Sequence, residues 1–450
     1  MPLRTFISEL EQQSDLQRIA AAVSPELELA AITDRICKAP NGGKALLFEQ
    51  VTGFRFPVAT NLFGSLPRIC RALNVPSLEH FGRRLRDALQ GVAGRSAADR
   101  LQLLLADDTL RPVSAERPAC RQVSAAPDLS LIPALRCWPR ETRPGLTLPL
   151  VFTADPETGE QNCGMYRVQF HGPDRATVNF GAASGGAGHW RNWQQRKQPM
   201  PVAIALGGDP ALIWAAGAPL PQRCDELRMA AWVSGRAQAV SAGLGQPLRI
   251  PATAEFIIEG IIRPGETGAE GPFGNHTGSY VSNPAAALFR VTAISHRSDA
   301  LCPATLVGPP PMEDCYLAKA GERLLLAMLM IDYPQIRELH LPLESIFHGC
   351  ALLAVEGLRA GQGRELLRAL WHDGPLQKAK LLILLDSDVD LGNPSLSYWR
   401  VVNRLAADRI LTDRGRIGID ATGVDPAALV GADRKTAERV ARRWPEYGLD

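Results

Sequence analysis

TAEFIIEGIIRPGE at residues 253–266 runs almost directly into EGPFGNHTGSY at 270–280. In the first stretch Glu255 and Glu259 fall on one face of a strand and Phe256, Ile258 and Ile262 on the other, because side chains alternate across an extended chain. The second stretch crowds a carboxylate, an amide, an imidazole, hydroxyls and three glycines into eleven positions. A strand that feeds a glycine-rich polar loop is where a rigid scaffold presents chemistry, since glycine lets the backbone come close to a ligand.

Working outward, the texture changes twice. Residues 1 to about 110 alternate strand and helix patterns, with KALLFEQV at 44–51 as a strand and SLEHFGRRLRDALQ at 77–90 as a helix capped by Ser77. The opening MPLRTFISELEQQSDLQRIA reads as an amphipathic helix with Phe6, Leu10 and Ile19 on one side. From about 115 to 305 short β-like runs are broken by Gly and Pro. Within them PVAIALGGDPALIWAAG at 201–217 predicts a strand, then a helix with Asp209 as its cap and Pro210 in its first turn. Its glycines fit neither phosphate-loop nor dinucleotide spacing, so a well-capped helix stands beside phosphate binding as a reading. After Pro309–Pro311 the chain turns helical, and residues 340–450 show βα alternation around KLLILLDSDVDL at 380–391. Asp386, Asp388 and Asp390 resemble a calcium loop until Leu391 and Ser397 break the pattern.

A chain of 450 residues predicts two or three domains. Its formal charge of +2 is scattered, which argues against nucleic acid as a partner. The longest apolar run, LLLAMLMI at 324–331, is far short of a bilayer, so stable membrane insertion is not expected and the reading is cytoplasmic. Nine cysteines without a CxxC pair, and eight histidines without HExxH or HxH spacing, leave oxygen atoms as the ligands of any metal.

NCGMYR at 162–167, PVAIALGGDPA at 201–211, APLP at 218–221 before Asp225 and Glu226, EGPFGNHTG at 270–278, AISHR at 293–297, PPMED at 310–314 and GIDAT at 418–422 lie in order along nearly the whole chain. Together they resemble the signature of the UbiD family, reversible decarboxylases that use prenylated FMN. The resemblance implies an α+β multidomain fold. It comprises an N-terminal α/β unit at 1–110, a central split β-barrel of the flavin reductase kind at 111–308 that binds the cofactor, a connecting helix at 309–335 and a C-terminal α/β oligomerisation domain at 336–450. It further implies a homo-oligomer, dimer or hexamer, and a flavin prenyltransferase that supplies the cofactor.

The resemblance also implies roles. Asn162 and Glu226, with Asn179 nearby, would hold Mn2+ or Mg2+ against the cofactor phosphate, with K+ close by. Met165, Tyr166, Arg167, Asn179 and Phe180 fall at cofactor-contact positions, as do Gly181, Ser184, Gly185 and Pro219, with Lys380 as a further phosphate candidate. Arg167 would clamp the carboxylate of an aromatic, heteroaromatic or α,β-unsaturated acid, and Glu270 would brace it. Position 275, normally an acid that returns the proton, is Asn here, and an amide does not ionise in the useful range. Either His276, Glu270 or a water replaces it, or the substrate protonates easily, or the protein is a non-catalytic or weakly active cofactor-binding paralogue.

Overall fold

The computed structural model describes residues 1–359, 361–372, 374–425 and 430–449. They fall into two compact units, Met1–Pro334 with Leu341–Ala351, and Gln335–His340 with Leu352–Asp450. The first unit opens with the helix Leu3–Gln12, which buries Phe6 and Leu10. Ile19 is not part of that helix but of the strand Leu16–Val23, because the chain reverses at Ser14, whose φ of 57° is incompatible with a continuing right-handed turn. That strand pairs in parallel with Ala45–Val51, and Val58–Thr60 and Cys302–Pro303 complete a four-stranded sheet. The helix Leu78–Gln90 follows its sequence signals: the Ser77 hydroxyl accepts from His80 N at 3.1 Å, and Leu78, Phe81, Leu85 and Leu89 are buried.

The centre of the unit is a nine-stranded sheet. Its main path runs Gly145–Leu146, Val168–Phe170, Arg175–Val178, Tyr280–His296, Phe256–Gly274, Met200–Leu206, Pro149–Ala154, Gln161–Met165. Among the described residues no pairing closes that path on itself. Its spine is the hairpin of Phe256–Gly274 and Tyr280–His296, so the stretch that begins at 253 is the middle of the sheet.

Both faces of the first half of this strand are buried, but differently. Phe256, Ile258 and Ile262 enter one apolar core, while Ile257 enters a second. On the Ile257 face the Glu255 and Glu259 side chains are 0% and 1% exposed. Each is held by an arginine: Arg4 Nε donates to Glu255 Oε1 at 3.0 Å, and Arg121 Nη1 to Glu259 Oε2 at 2.7 Å. An unpaired carboxylate there would be untenable, and deleting one partner of such a pair typically costs about 3–5 kcal/mol.

GGDPALIWAAG forms the expected strand-to-helix junction, with Asp209 Oδ1 accepting from Ala211 N at 2.9 Å at the head of the helix Pro210–Gly217. The helix Glu313–Asp332 is deeply buried. In the second unit the sheet order is Ile336–His340, Cys350–Val355, Leu381–Asp386, Arg416–Asp420, Ile410–Asp413. Asp386, Asp388 and Asp390 are turn and ion-pair acids: Asp386 accepts from Gly423 N at 2.9 Å, Asp388 meets Arg400 at 2.7 Å, and Asp390 accepts from Gly392 N at 2.9 Å. All nine cysteines are free thiols. No described helix is long and apolar enough to cross a membrane.

Candidate active site

The strand Gln161–Met165 and the two residues after it carry both ends of the site. At one end Arg167 forks onto Glu270, Nε to Oε1 and Nη2 to Oε2. Glu270 belongs to the long hairpin and its side chain is fully buried, whereas the Arg167 side chain keeps 17% of its surface open. The guanidinium is therefore fixed along one edge and accessible elsewhere. The Phe273 ring lies 4.1 Å from its centre, a cation–π contact that holds its plane. Asn179 completes the support: Nδ2 donates to Glu270 Oε2 at 3.0 Å, Oδ1 accepts from Asn283 Nδ2 at 3.1 Å, and its backbone N donates to Arg167 O at 3.0 Å.

At the other end Glu226 opens the helix Glu226–Ser234 and accepts from Cys163 N, next to Asn162, at 2.9 Å. Burial pushes its carboxyl up to about 8, and only the backbone N–H groups of Cys163 and Glu226 itself oppose that push. A second helix, Gly185–Gln195, begins against Asn162, so closely that a side chain at Gly185 would overlap the Asn162 amide. Tyr166 Oη accepts from Gly186 N at 3.2 Å and lies 3.3 Å from the Asn162 amide, whose oxygen accepts from Cys163 N at 3.0 Å and Gly164 N at 3.1 Å, while Ser184 caps the helix through Ala187 N at 3.2 Å. The positive end of a helix dipole thus points at the Asn162 corner.

A chain of contacts links the two ends. The Tyr166 ring meets Phe180 edge-on at 5.0 Å, and Phe180 follows Asn179, whose backbone is bonded to Arg167. Met165 ends the strand, and Gly181 lies in open space beyond Phe180. Pro219, exposed, lies close to Gly321 of the long buried helix. Lys380 immediately precedes the strand Leu381–Asp386 in the second unit.

The hairpin tip differs from what its residue types suggest. Asn275 Oδ1 accepts from Thr277 N at 2.9 Å and Thr277 Oγ1 at 2.6 Å, while its main chain bonds Ser279 O and Gly278 N at 3.1 and 3.0 Å. The amide oxygen is a turn-forming group. His276 is half-buried, and desolvation holds its imidazole below its ordinary value. Asn179, expected near the metal, has both ends of its amide engaged by Glu270 and Asn283. Among the described residues no three His, Cys, Asp or Glu side chains converge as a metal cluster, so any ion must use amide and carboxylate oxygens together.

Sequence reasoning did not single out Phe273 or Asn283. Phe273 lay inside the quoted loop as an apolar residue with no chemical signal. Asn283 is placed by hairpin register opposite Glu270, which only strand pairing reveals.

Comparison with known proteins bears on the family and the fold. Family models described as the N-terminal, Rift-related and C-terminal domains of 3-octaprenyl-4-hydroxybenzoate carboxy-lyase match residues 7–85, 111–310 and 315–426. An uncharacterized protein of Archaeoglobus fulgidus is 37% identical over 99% of this chain and 94% of its own, and one of Aquifex aeolicus is 34% identical with the same coverage. An evolved dimeric form of the UbiD-class enzyme HmfF from Pelotomaculum thermopropionicum, in complex with prFMN, is similar with a TM-score of 0.82 at 24% identity, over 98% of this chain and 99% of that one. The closed form of vanillic acid decarboxylase from Sedimentibacter hydroxybenzoicus gives 0.87 at 21%, over 100% and 99%. At such identities the likeness is one of fold. The three domain models, taken in order along the chain, place this protein in the UbiD family of carboxy-lyases.

Proposed function

We propose that this protein is a reversible, non-oxidative decarboxylase of an aromatic, heteroaromatic or α,β-unsaturated carboxylic acid, working with prenylated FMN and a divalent metal. One observation carries the reading: Arg167, forked onto buried Glu270 yet partly open, follows directly on the strand that carries Asn162, whose neighbour Cys163 donates its N–H to Glu226. An arginine held this way is prepared to receive a planar anion.

The residues fit the absent groups. A carboxylate pushed up to about 8 by burial, beside an amide oxygen, is what a hard cation such as Mn2+ or Mg2+ relieves, with K+ as the second ion of the reading. The positive end of the helix Gly185–Gln195 lies at the same corner and would favour a phosphate there. Because the Asn179 amide is engaged elsewhere, we assign Asn162 and Glu226 to the metal and Asn179 to the bracing of Glu270. Met165, Tyr166, Phe180, Gly181, Ser184 and Pro219 would border the flavin.

Prenylated FMN, when bound, supplies the electron sink that expulsion of CO2 from an unsaturated carbon requires. The chain does the rest. Arg167 binds the substrate carboxylate and loses its hold once that group becomes neutral CO2. Glu270 and Phe273 keep the guanidinium in plane. Glu270 is bound to Arg167 and Asn179, and Asn275 cannot ionise, so we assign return of the proton to a water that His276 orients, or to His276 once it has itself taken up a proton from solvent. A central split barrel at 111–308, flanked by units at 1–110 and 336–450 and a connecting helix at 309–335, belongs to the same reading. So do a homo-oligomer, a supplying prenyltransferase and a cytoplasmic location.

The test is to produce the protein together with a flavin prenyltransferase, supply Mn2+, and assay it against a panel of aryl and acrylic acids. A bound modified flavin with CO2 release from at least one acid is the expected result. Flavin binding with no release from any acid would favour the second reading, a cofactor-binding paralogue, which the turn-forming role of Asn275 keeps open.

A further inference from the structure

The hairpin tip that carries Phe273, Asn275 and His276 is held from outside by a segment more than a hundred residues earlier in the chain. Glu141, 4% exposed, accepts from Cys137 N at 2.7 Å and Trp138 N at 3.1 Å through Oε2, and from Gly274 N at 3.1 Å through Oε1. A single carboxylate therefore ties the turn 137–141 to the residue between Phe273 and Asn275. Trp138 adds a second tie: its Nε1 donates to Val307 O at 2.8 Å, and its ring occupies the space that side chains at Gly274 and Gly308 would need. Both glycines are thus accounted for by the indole. Tyr280, paired with Gly274 in the hairpin register, also accepts from Arg140 N at 3.3 Å through its hydroxyl. Burial raises the Glu141 carboxyl above its ordinary range, with the three N–H groups and the field of Arg167 pulling it down.

A turn needs none of this to close, since Asn275, Thr277, Gly278 and Ser279 already bond among themselves. What the ties determine is where the closed turn sits. Phe273 is the ring beneath Arg167, so a displaced tip takes the floor from the guanidinium.

We propose that Trp138 and Glu141 are positioning residues for the reaction, forming a bracket that sets the hairpin tip, and through Phe273 the Arg167 guanidinium, in place. The inference rests on the decarboxylase reading for its catalytic consequence but not for its structural one. The test uses the full chain loaded with cofactor, as wild type and as Glu141→Gln, Glu141→Asp and Trp138→Phe. Two readouts are taken: amide hydrogen exchange of the 270–280 segment, and kcat and KM for CO2 release.

The bracket predicts exchange at 270–280 at least several-fold faster in Glu141→Gln and Trp138→Phe, with the Leu78–Gln90 helix unchanged as an internal control. It predicts kcat lower by about 10- to 100-fold with KM changed much less, as expected when a bound substrate is held out of line. Partial recovery of kcat should follow in Glu141→Asp. Unchanged exchange at the tip in both variants overturns the bracket. So does faster exchange with kcat and KM untouched, which would leave Glu141 and Trp138 as stability residues only. If the wild type releases CO2 from no acid, the decarboxylase reading and with it the positioning role are lost, while the exchange data still decide whether the structural bracket exists.

Discussion

Asn275 shows how a residue type can mislead about its task. Its amide oxygen is the acceptor of an Asx turn closed by Thr277, a task that Asp performs equally well. Asn275→Asp should therefore melt within about 1–2 °C of wild type, whereas Asn275→Ala loses a turn hydrogen bond worth about 1 kcal/mol and should melt lower; thermal denaturation of the three proteins checks this. With the fold retained, Asn275→Asp should raise CO2 release, since it restores an ionisable group at the tip, and a fall in rate would show that the amide suits the true substrate. Arg167 gives the sharper case. Arg167→Lys replaces a planar fork with a point charge, so steady-state kinetics should show a loss of at least about 100-fold in kcat/KM, the scale of a lost charge-stabilising donor. The pair Arg167 and Glu270 was legible because both lie in motif stretches. The Asn275–Thr277 contact is legible too, as Asn two residues before Thr in a glycine-rich loop, where the geometry of the turn and not the acidity of position 275 is the informative signal.

Among elements, the hairpin 256–296 and the helix Glu313–Asp332 place strong chemistry in the interior for different ends. Glu313, first in that helix, is 1% exposed and accepts from Phe63 N at 2.7 Å. Burial pushes its carboxyl up to about 7, with Thr305, Phe63 N and the more distant Arg68 pulling it down, and the neighbouring Asp314 is raised to about 6. A carboxyl raised on folding binds its proton more tightly in the native state, so the stability these two groups contribute is fully present below the ordinary carboxylate range and is lost as pH rises toward 7. Glu313→Gln should flatten the fall in melting temperature between pH 5 and 7, by at most about 1.4 kcal/mol per pH unit; an unchanged slope would assign the effect to other groups. The helices Leu78–Gln90 and Pro210–Gly217 were readable because caps and apolar spacing are local. The pairing of Phe256–Gly274 across to Met200–Leu206 and Tyr280–His296 was not, since register is decided by partners far away in the chain. For the same reason the Glu141 tie to Gly274 left no trace in local spacing.

At the scale of the molecule, the first unit carries Asn162 and Glu270 on two strands, Glu226 on a helix and Arg167 just past a strand end, with Arg167 bonded to Glu270 and Glu226 bonded beside Asn162. If Asn162 and Glu226 hold the divalent ion, a chelator should strip flavin from the protein, Mn2+ should restore it, and Glu226→Gln should retain little flavin even with Mn2+ present, as absorbance after gel filtration would record. What the motifs conveyed was membership; what they could not convey was that the Asn179 amide is bonded to Glu270, because Asn162 and Asn179 are the same residue type and only their neighbours distinguish them. The most direct measurement is CO2 release by flavin-loaded wild type and by Glu270→Gln with matched flavin content. The account predicts release by the wild type from at least one unsaturated acid and a drop of at least about 100-fold in the variant. Equal rates in the two proteins, or a loaded wild type inert toward every acid in the panel, would contradict it.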